Sequence, residues 1–417
     1  MNFNTTNKRK IINDPVFGFI NFQSEIVFDL IEHPYFQRLR RIKQLGLSNL
    51  VFPGTNHTRF EHTIGALHLT WSAIEILRQK DVEITADEAD AVAIAILLHD
   101  IGHGPFSHAL EFTLVSGITH EALSLLLMED LNAQFDGKLD MAISIFKNEY
   151  PKHFLHQLVS GQLDMDRLDY LRRDSFYSGV VEGAIGSDRI IKMLNIIDDQ
   201  LVVDKKAIYS IEQFLIARRL MYWQVYLHKT VLAAEYMMIN ILKRAKELVA
   251  CGTELFGPPQ LQWLLKQNFS GENLKSGDNK SSLIKNFVAL DDSDILSSIK
   301  VWSNHDDTVL SFLSSSVINR KLFKIKVSDQ PFDEKKVNYI KDRVLQKYNL
   351  SEVDLDYFVF QRDISNSAYE SGVENIFILN SNREKTDFVK ASDIDLAALS
   401  KTVRKHFLCY PKELVVK

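Results

Sequence analysis

The stretch AVAIAILL, from Ala91 to Leu98, is apolar all round and runs directly into HDIGHGPFSH, from His99 to His108. A helix with no polar face must be enclosed by other elements, so this stretch predicts a helix over Asp87–Asp100 at the centre of a mostly helical fold. His99 and Asp100 then fall at the edge of the core as two adjacent strong ligands. Gly102 and Gly104 predict a sharp turn behind them, and Pro105 the first turn of a further helix.

Apolar residues recur every three to four positions through most of Ser24–Leu248, including a helical pattern over Ser210–Val249. Residues 1–30, punctuated by Pro15 and Gly18, read as irregular or short-stranded. Residues 250–318 continue as shorter helices around a polar loop, Ser270–Ser281, the candidate mobile segment. The texture then changes. Lys321–Val327 reads as a strand, Asp333–Tyr348 as an amphipathic helix, and Leu355–Gln361 and Glu374–Leu379 as strands. Ala391–Leu399 reads as a helix and His406–Tyr410 as a last strand. That β-α-β-β-α-β order predicts a ferredoxin-like unit. The expected fold class is mostly α: a helical core with a smaller α+β C-terminal unit. The expected division is 1–45 for an N-terminal segment, 46–250 for the core, 251–320 for a helical extension and 321–417 for the α+β domain.

A chain of 417 residues is long enough for two or three such units. Its net charge of −5, with Lys and Arg interspersed, lacks the basic footprint of a nucleic-acid binder. An anionic substrate must therefore be met by a local basic pocket. Cys251 and Cys409 stand far apart, which argues for a reducing compartment and against disulfides or a thiolate metal site. The N-terminus has no apolar signal region, and Ala91–Leu98 is far shorter than the roughly 20 residues that span a bilayer. A cytoplasmic protein without a membrane partner is expected.

Two further segments share the chemistry of HDIGHGPFSH. RFEHT, Arg59 to Thr63, opens a helix expected to reach Leu77. DMDRLDYLRRD, Asp164 to Asp174, sets Asp166, Asp169 or Tyr170, and Asp174 near one face. Carboxylates gathered this way need cations or a metal to offset them. Imidazole with carboxylate suits Mn, Fe, Zn or Mg, and two carboxylates favour hard or borderline ions. A histidine, with an ordinary pKa of about 6.5, can protonate a leaving oxygen. His108 is the first candidate, because Glu111 three residues on can orient it. His103 and His120 can bind phosphate or share the proton transfer, and Glu121 follows His120. The plain alternative is a polar network that only holds the site together.

RFEHT, HDIGHGPFSH and DMDRLDYLRRD together resemble the H…HD…D signature of the HD-domain phosphohydrolases. FQRLRRIKQLG (Phe36–Gly46), VFPG followed by RFEHTIG, and MYWQVYLHK (Met221–Lys229) with Arg218 just before it are similar to segments of the sterile-alpha-motif/HD-domain dNTP triphosphohydrolases and their bacterial relatives. The resemblance covers roughly residues 10–245, without a sterile-alpha-motif domain. It implies an HD-domain core in which His62, His99, Asp100 and Asp166 ligate a divalent ion (Mn, Fe, Mg, Zn or Ni) beside the α-phosphate of a nucleotide. The implied reaction is attack of metal-activated water at that phosphate, giving deoxynucleoside and triphosphate. His103, His108 and His120 match the reactive histidines. Arg59, Arg167 and Arg218 match the phosphate clamp, with Arg167 where the relative has lysine. Tyr170 and Asp174 match contacts to the sugar and its 3′-hydroxyl. Tyr226 matches a residue packed against the sugar, and Gln44 and Leu45 the segment that tells deoxyribose from ribose.

The same resemblance implies an activating nucleotide bound between subunits by Lys10, Asn13, Asp14, Glu32, Gln37 and Arg40. Glu32 replaces an aspartate that reads guanine. His228 and Lys229 match a second nucleotide contact. A dimer or tetramer would follow, because a nucleotide held between subunits stabilises the assembly by mass action. Two other readings stay open. One is a different HD phosphohydrolase: a phosphomonoesterase, a phosphodiesterase or an alarmone hydrolase. The other is a nucleotide sensor without turnover.

Overall fold

A computed structural model describes residues 10–106, 113–115, 117–267, 269, 277–366, 375–393 and 402–414. The chain enters through an antiparallel hairpin, β1 (Ile11–Asp14) and β2 (Gly18–Asn21). Asp14 closes its turn by accepting hydrogen bonds from the N–H groups of Val16 and Phe17, both at 2.9 Å. Helices α1 (Glu25–Glu32) and α2 (Pro34–Gln37) follow.

The core is set by α3 (Arg59–Arg78) and α4 (Ala86–Leu98). Each starts where a Thr and a Glu three residues on exchange bonds with the free N–H groups of the first turn: Thr58 with Glu61, Thr85 with Glu88. Every residue of Ala91–Leu98 is buried, as its sequence requires. Helices α1, α3, α6 (Asp140–Phe146) and α7 (His153–Val159) enclose α4, and α5 (His120–Gln134) packs beside α6. Helix α8 (Met165–Ser178) lies along α3. It starts at Asp164, whose side chain accepts from Arg167 N–H, and ends at Gly179 in the left-handed region (φ +73°).

The chain turns behind His99 and Asp100 as expected, with the Ile101 N–H on the Leu98 carbonyl and the His103 N–H on the Asp100 carbonyl, both at 3.1 Å, but the φ of Gly102 is not positive, so the turn itself does not call for glycine there. A Cβ at Gly102 would lie 2.2 Å from the carbonyl oxygen of His120 and 2.3 Å from the N of Ser124, so glycine is needed there to let α5 approach.

Helix α9 (Ser187–Lys192) leads to a second hairpin, β3 (Leu194–Ile197) and β4 (Gln200–Asp204). The pattern over Ser210–Val249 is not one helix. Helix α10 (Ile208–Met221) widens into a π turn over Tyr222–Tyr226, closed by Leu227 N–H on the Tyr222 carbonyl at 2.7 Å, and α11 (Lys229–Ala250) starts afresh. One extra residue per turn leaves apolar periodicity almost intact, which is why the break is invisible in it. Helices α12 (Pro259–Leu265), α13 (Gly277–Phe287), α14 (Asp292–Trp302) and α15 (Thr308–Ile318) form the extension. Helix α13 begins inside the stretch expected to be a loop, whose residues 270–276 lie outside the described residues.

The C-terminal part is α+β: β5 (Lys324–Ser328), α16 (Glu334–Tyr348), β6 (Phe360–Asn366), β7 (Phe377–Leu379), β8 (Lys385–Asp387), α17 (Phe388–Ala391) and β9 (Val403–Tyr410). Its strand order is not ferredoxin-like. Among the described residues β5, β9 and β6 form its antiparallel sheet, with β9 central. β7 leaves to pair in parallel with β4, giving the order β3-β4-β7-β8. Ile376, Ile378 and Phe388 are buried there. A short apolar strand satisfies its backbone at any matching edge, so its pattern cannot name the sheet it joins. The expected helix Ala391–Leu399 overlaps α17 only at Ala391, and 394–400 lie outside the described residues. One hydrophobic cluster runs from Ile20 to Leu414. No helix among the described residues is long and apolar enough to cross a membrane.

Candidate metal centre

Three elements converge on one point. The first turn of α3 carries His62, the end of α4 carries His99 and Asp100, and the first turn of α8 carries Asp166. His62, His99 and Asp166 present ligand atoms that all lie within 4.8 Å of one another, a set that can hold a metal ion. His62 Nε2 is 3.1 Å from Asp166 Oδ1 and 3.6 Å from Asp100 Oδ2. His99 Nε2 is 3.6 Å from Asp166 Oδ1 and 3.3 Å from Asp100 Oδ1.

The imidazoles are turned for ligation. His62 donates through Nδ1 to Asp169 Oδ2 at 2.7 Å, and His99 donates through Nδ1 to the Ile96 carbonyl at 2.6 Å. In the neutral rings each Nε2 carries a lone pair, and both atoms are buried without a hydrogen-bond partner among the described residues. A buried polar atom left unpaired costs about 1–3 kcal/mol, and two aimed at the same carboxylates fit a cation between them. Burial alone would lower the His62 pKa, but Asp166 and Asp169 raise it to about 10, so protons and cations compete for this position. Asp100 is buried, yet Arg59, His99 and His103 hold its carboxyl well below the usual range.

Around this cluster, Arg59 forms an ion pair with Asp100. His103 Nε2 lies 3.2 Å from Asp100 Oδ1, and its ring stacks on His120 at 4.0 Å. Burial, with Arg59 nearby, pushes the His103 pKa well down and keeps the ring neutral. His120 opens α5 and pairs with Glu121 at 3.2 Å despite their adjacency. His108 and Glu111 lie outside the described residues.

Sequence reasoning missed the layer behind the ligands. Asp169 holds His62 and takes two bonds from Arg173, whose Nη1 reaches the buried Asp14 at 2.7 Å. Asp14 is thus engaged in this network. Arg38 is fully buried and donates to the carbonyls of Leu290 (2.9 Å), Ile101 (3.2 Å) and His103 (2.6 Å), pinning the turn after Asp100 to the extension. The i,i+4 spacing of Asp169 and Arg173 was a readable signal. Arg38, 63 residues from Ile101, offered none.

A polar wall continues from Asp166. Arg167 donates through Nε to the Gly161 carbonyl at 2.6 Å, and Arg218 through Nη1 to Gln162 Oε1 at 3.3 Å. The charges of both act on Tyr170, whose buried hydroxyl has no hydrogen-bond partner among the described residues. Tyr170 meets Tyr226 edge to face at 6.1 Å. Asp174 accepts from Tyr226 Oη and from His57 Nε2, both at 2.8 Å. Gln44 donates its N–H to the His57 carbonyl at 3.0 Å, while its Oε1 is buried without a hydrogen-bond partner among the described residues. Leu45 packs half-buried beside it. His57 carried no functional expectation and joins this wall.

The remaining predicted residues lie in two other groups. Lys10 sits over the Phe28 ring at 4.5 Å, Asn13 pairs with Phe19 in the hairpin, and Glu32 is exposed. Gln37 donates to the Ile31 carbonyl at 2.7 Å and accepts from Arg40, which covers the Phe60 ring at 3.5 Å. His228 caps α11 by accepting from Thr230 N–H, and Lys229 faces a cleft shared with Arg320, Lys321, Lys324 and Lys412.

Residues 59–171 match the HD domain and residues 185–254 the HD associated region. The chain is 30% identical over 422 residues to the uncharacterized protein YwfO of Bacillus subtilis, covering 98% of this chain and 93% of that one. It is 31% identical over 277 residues to the deoxynucleoside triphosphate triphosphohydrolase SAMHD1 homolog of Dictyostelium discoideum. That match covers 62% of this chain and 54% of the relative, about half its length. Among solved structures, a phosphohydrolase from Bacteroides thetaiotaomicron superposes with a TM-score of 0.92 at 52% identity, covering 96% of this chain and 99% of that one. With these matches and a His/His/Asp cluster able to hold the ion, the chain belongs to the HD-domain phosphohydrolases, a metal-dependent family of hydrolases.

Proposed function

We propose that this chain cleaves dNTPs to deoxynucleoside and triphosphate, with water attacking the α-phosphate. The observation that carries the reading is the continuity of the polar wall. It runs from Asp166 past Arg167 and Arg218 to Tyr170, whose buried hydroxyl lacks a hydrogen-bond partner among the described residues. The likeness to the Dictyostelium triphosphohydrolase homolog adds support.

His62, His99, Asp100 and Asp166 would hold the divalent ion. Such an ion activates water near neutral pH and offsets charge on the attacked phosphoryl group. Arg59, Arg167 and Arg218 bind phosphate oxygens, a task for which the planar guanidinium fork is suited. A histidine among His103, His108 and His120 gives a proton to the departing 5′-oxygen. His103, held neutral by burial, suits orientation more than donation. Tyr170 and Gln44 offer the sugar a hydroxyl and a carbonyl oxygen, and Tyr226, tied to Asp174, packs against it with Leu45. Lys10, Asn13, Glu32, Gln37 and Arg40, and separately His228 and Lys229, bind activating nucleotide between copies of the chain in a dimer or tetramer. The protein acts in the cytoplasm.

Incubation of metal-loaded protein with each dNTP and rNTP, with and without a second nucleotide, tests this by ion-exchange separation of products. Deoxynucleoside with intact triphosphate is expected. Orthophosphate or pyrophosphate would move the chain to another HD activity. In Asp166→Ala, metal binding and turnover are both expected to vanish, whereas a nucleotide sensor would keep its affinity.

A further inference from the structure

Both guanidiniums of the wall rest on one short loop. Gly161 accepts from Arg167 Nε through its carbonyl, and Gln162 Oε1 accepts from Arg218 Nη1. Asp164 ties the loop down at both ends. Its Oδ2 takes the Gly161 N–H at 2.9 Å, and its Oδ1 takes the Arg167 N–H at 2.7 Å. A guanidinium is planar, so the Gly161 carbonyl together with Asp164 Oδ2, 3.2 Å from Arg167 Nε, and the Gln162 oxygen on Arg218 Nη1 each help to set the plane of a fork.

The loop is backed by the C-terminal unit. A small space behind it is lined by Gln157, Gly161, Gln162, Leu163, Asn375 and Ile376. Ile376 is buried and leads directly into β7, which is registered on β4 with Phe377 opposite Val202 and Ile378 opposite Val203. Gln157 in turn accepts the Leu201 N–H of β4 at 2.7 Å. The same excursion reaches the helix that carries Arg218: Ser392 donates to Glu212, a buried residue of α10, at 2.5 Å.

We infer that Gln162 is a positioning residue for the anion clamp, and that residues 375–393 brace the loop on which Arg167 and Arg218 are aimed. The C-terminal unit thereby sets affinity for the polyphosphate part of the ligand. The inference rests on the proposed phosphate-clamp role of Arg167 and Arg218.

The test uses the full chain with Gln162→Leu, Gln162→Glu and Ile376→Ala, inorganic tripolyphosphate as the probe, and dNTP kinetics. In Gln162→Leu, KM and the inhibition constant of tripolyphosphate should rise about tenfold, the scale of one lost hydrogen bond to a charged group. Turnover number should change far less, and metal affinity should stay the same. Gln162→Glu, which keeps an acceptor, should restore most of the loss. Ile376→Ala, which loosens only the backing, should raise both constants several-fold. If both constants keep their wild-type values in Gln162→Leu and Ile376→Ala while the wild type yields triphosphate, the brace is overturned and the function stands. A loss confined to turnover number also overturns it, because the loop would then act on the metal ligands. An effect in Gln162→Leu without one in Ile376→Ala overturns the C-terminal part. A wild type that neither binds tripolyphosphate nor cleaves nucleotide overturns the clamp reading and this inference together.

Discussion

Asp169 acts one bond away from the ligand position. Buried between His62 and Arg173, it fixes the His62 tautomer, and Arg173 and His62 hold its carboxyl below the usual range against the opposing effect of burial. Asp169→Asn keeps an oxygen for the His62 N–H but removes the charge. Metal affinity measured by calorimetry should fall about 10- to 100-fold, and an unchanged affinity would refute the orienting role. Asp292 makes a different prediction. Its two oxygens take the N–H groups of Lys43 (3.0 Å) and Phe106 (2.9 Å), and burial pushes its pKa from 3.8 to about 6. Between those values the folded chain binds more protons than the unfolded one. The stabilising contribution is therefore full below about pH 4 and is lost as pH rises to about 6, on the order of 3 kcal/mol. Denaturation of wild type and Asp292→Asn across that window should show wild type losing stability relative to the variant. Parallel curves would contradict it. His62, His99 and Asp166, the residues placed to hold an ion, could be singled out because each sits in a motif. Asp292, nearly 200 residues from the turn it clamps, could not.

At the scale of elements, the site depends on how closely α3 and α8 approach. A Cβ at Gly65 of α3 would lie 2.0 Å from Asp169 Oδ1 and 2.2 Å from Arg173 Nη2. Gly65→Ala must push this buried ion pair aside. A loss of about 3 kcal/mol or more is expected in chemical denaturation, together with weaker metal binding. An alanine variant as stable as wild type would show that the helices separate freely. Helices α3, α4 and α8 start at caps made by Thr58, Thr85 and Asp164, each a contact between residues three positions apart. The π turn at Tyr222–Tyr226 was not readable in the sequence, although it puts Tyr226 on Asp174. The Tyr226–Asp174 bond joins residues 52 positions apart.

Over the whole molecule, the ligand cluster joins α3, α4 and α8, so a cation bound there links three helices that meet only in the folded chain. Divalent ion at a hundred times its dissociation constant should stabilise the protein by about 2.7 kcal/mol, read as a rise in Tm, and Asp166→Ala should abolish that rise. A rise of the same size in the variant would place the stabilising ion elsewhere. The C-terminal unit shows where reading a sequence ends. Strands β5, β7 and β9 and helix α16 were visible as local patterns, but the strand expected over Leu355–Gln361 is largely a 3-10 turn with β6 starting only at Phe360, β8 was not foreseen, and β7 pairs with β4 of the core. The sequence by itself determined the buried helix and the motifs that carry the candidate ligands, since each depends on residues within a few positions of one another. Only the tertiary structure decided what lies behind the ligands, where the π turn falls and which sheet receives β7. Those depend on hydrogen bonds and buried surface shared by residues tens to hundreds of positions apart, which no local pattern encodes.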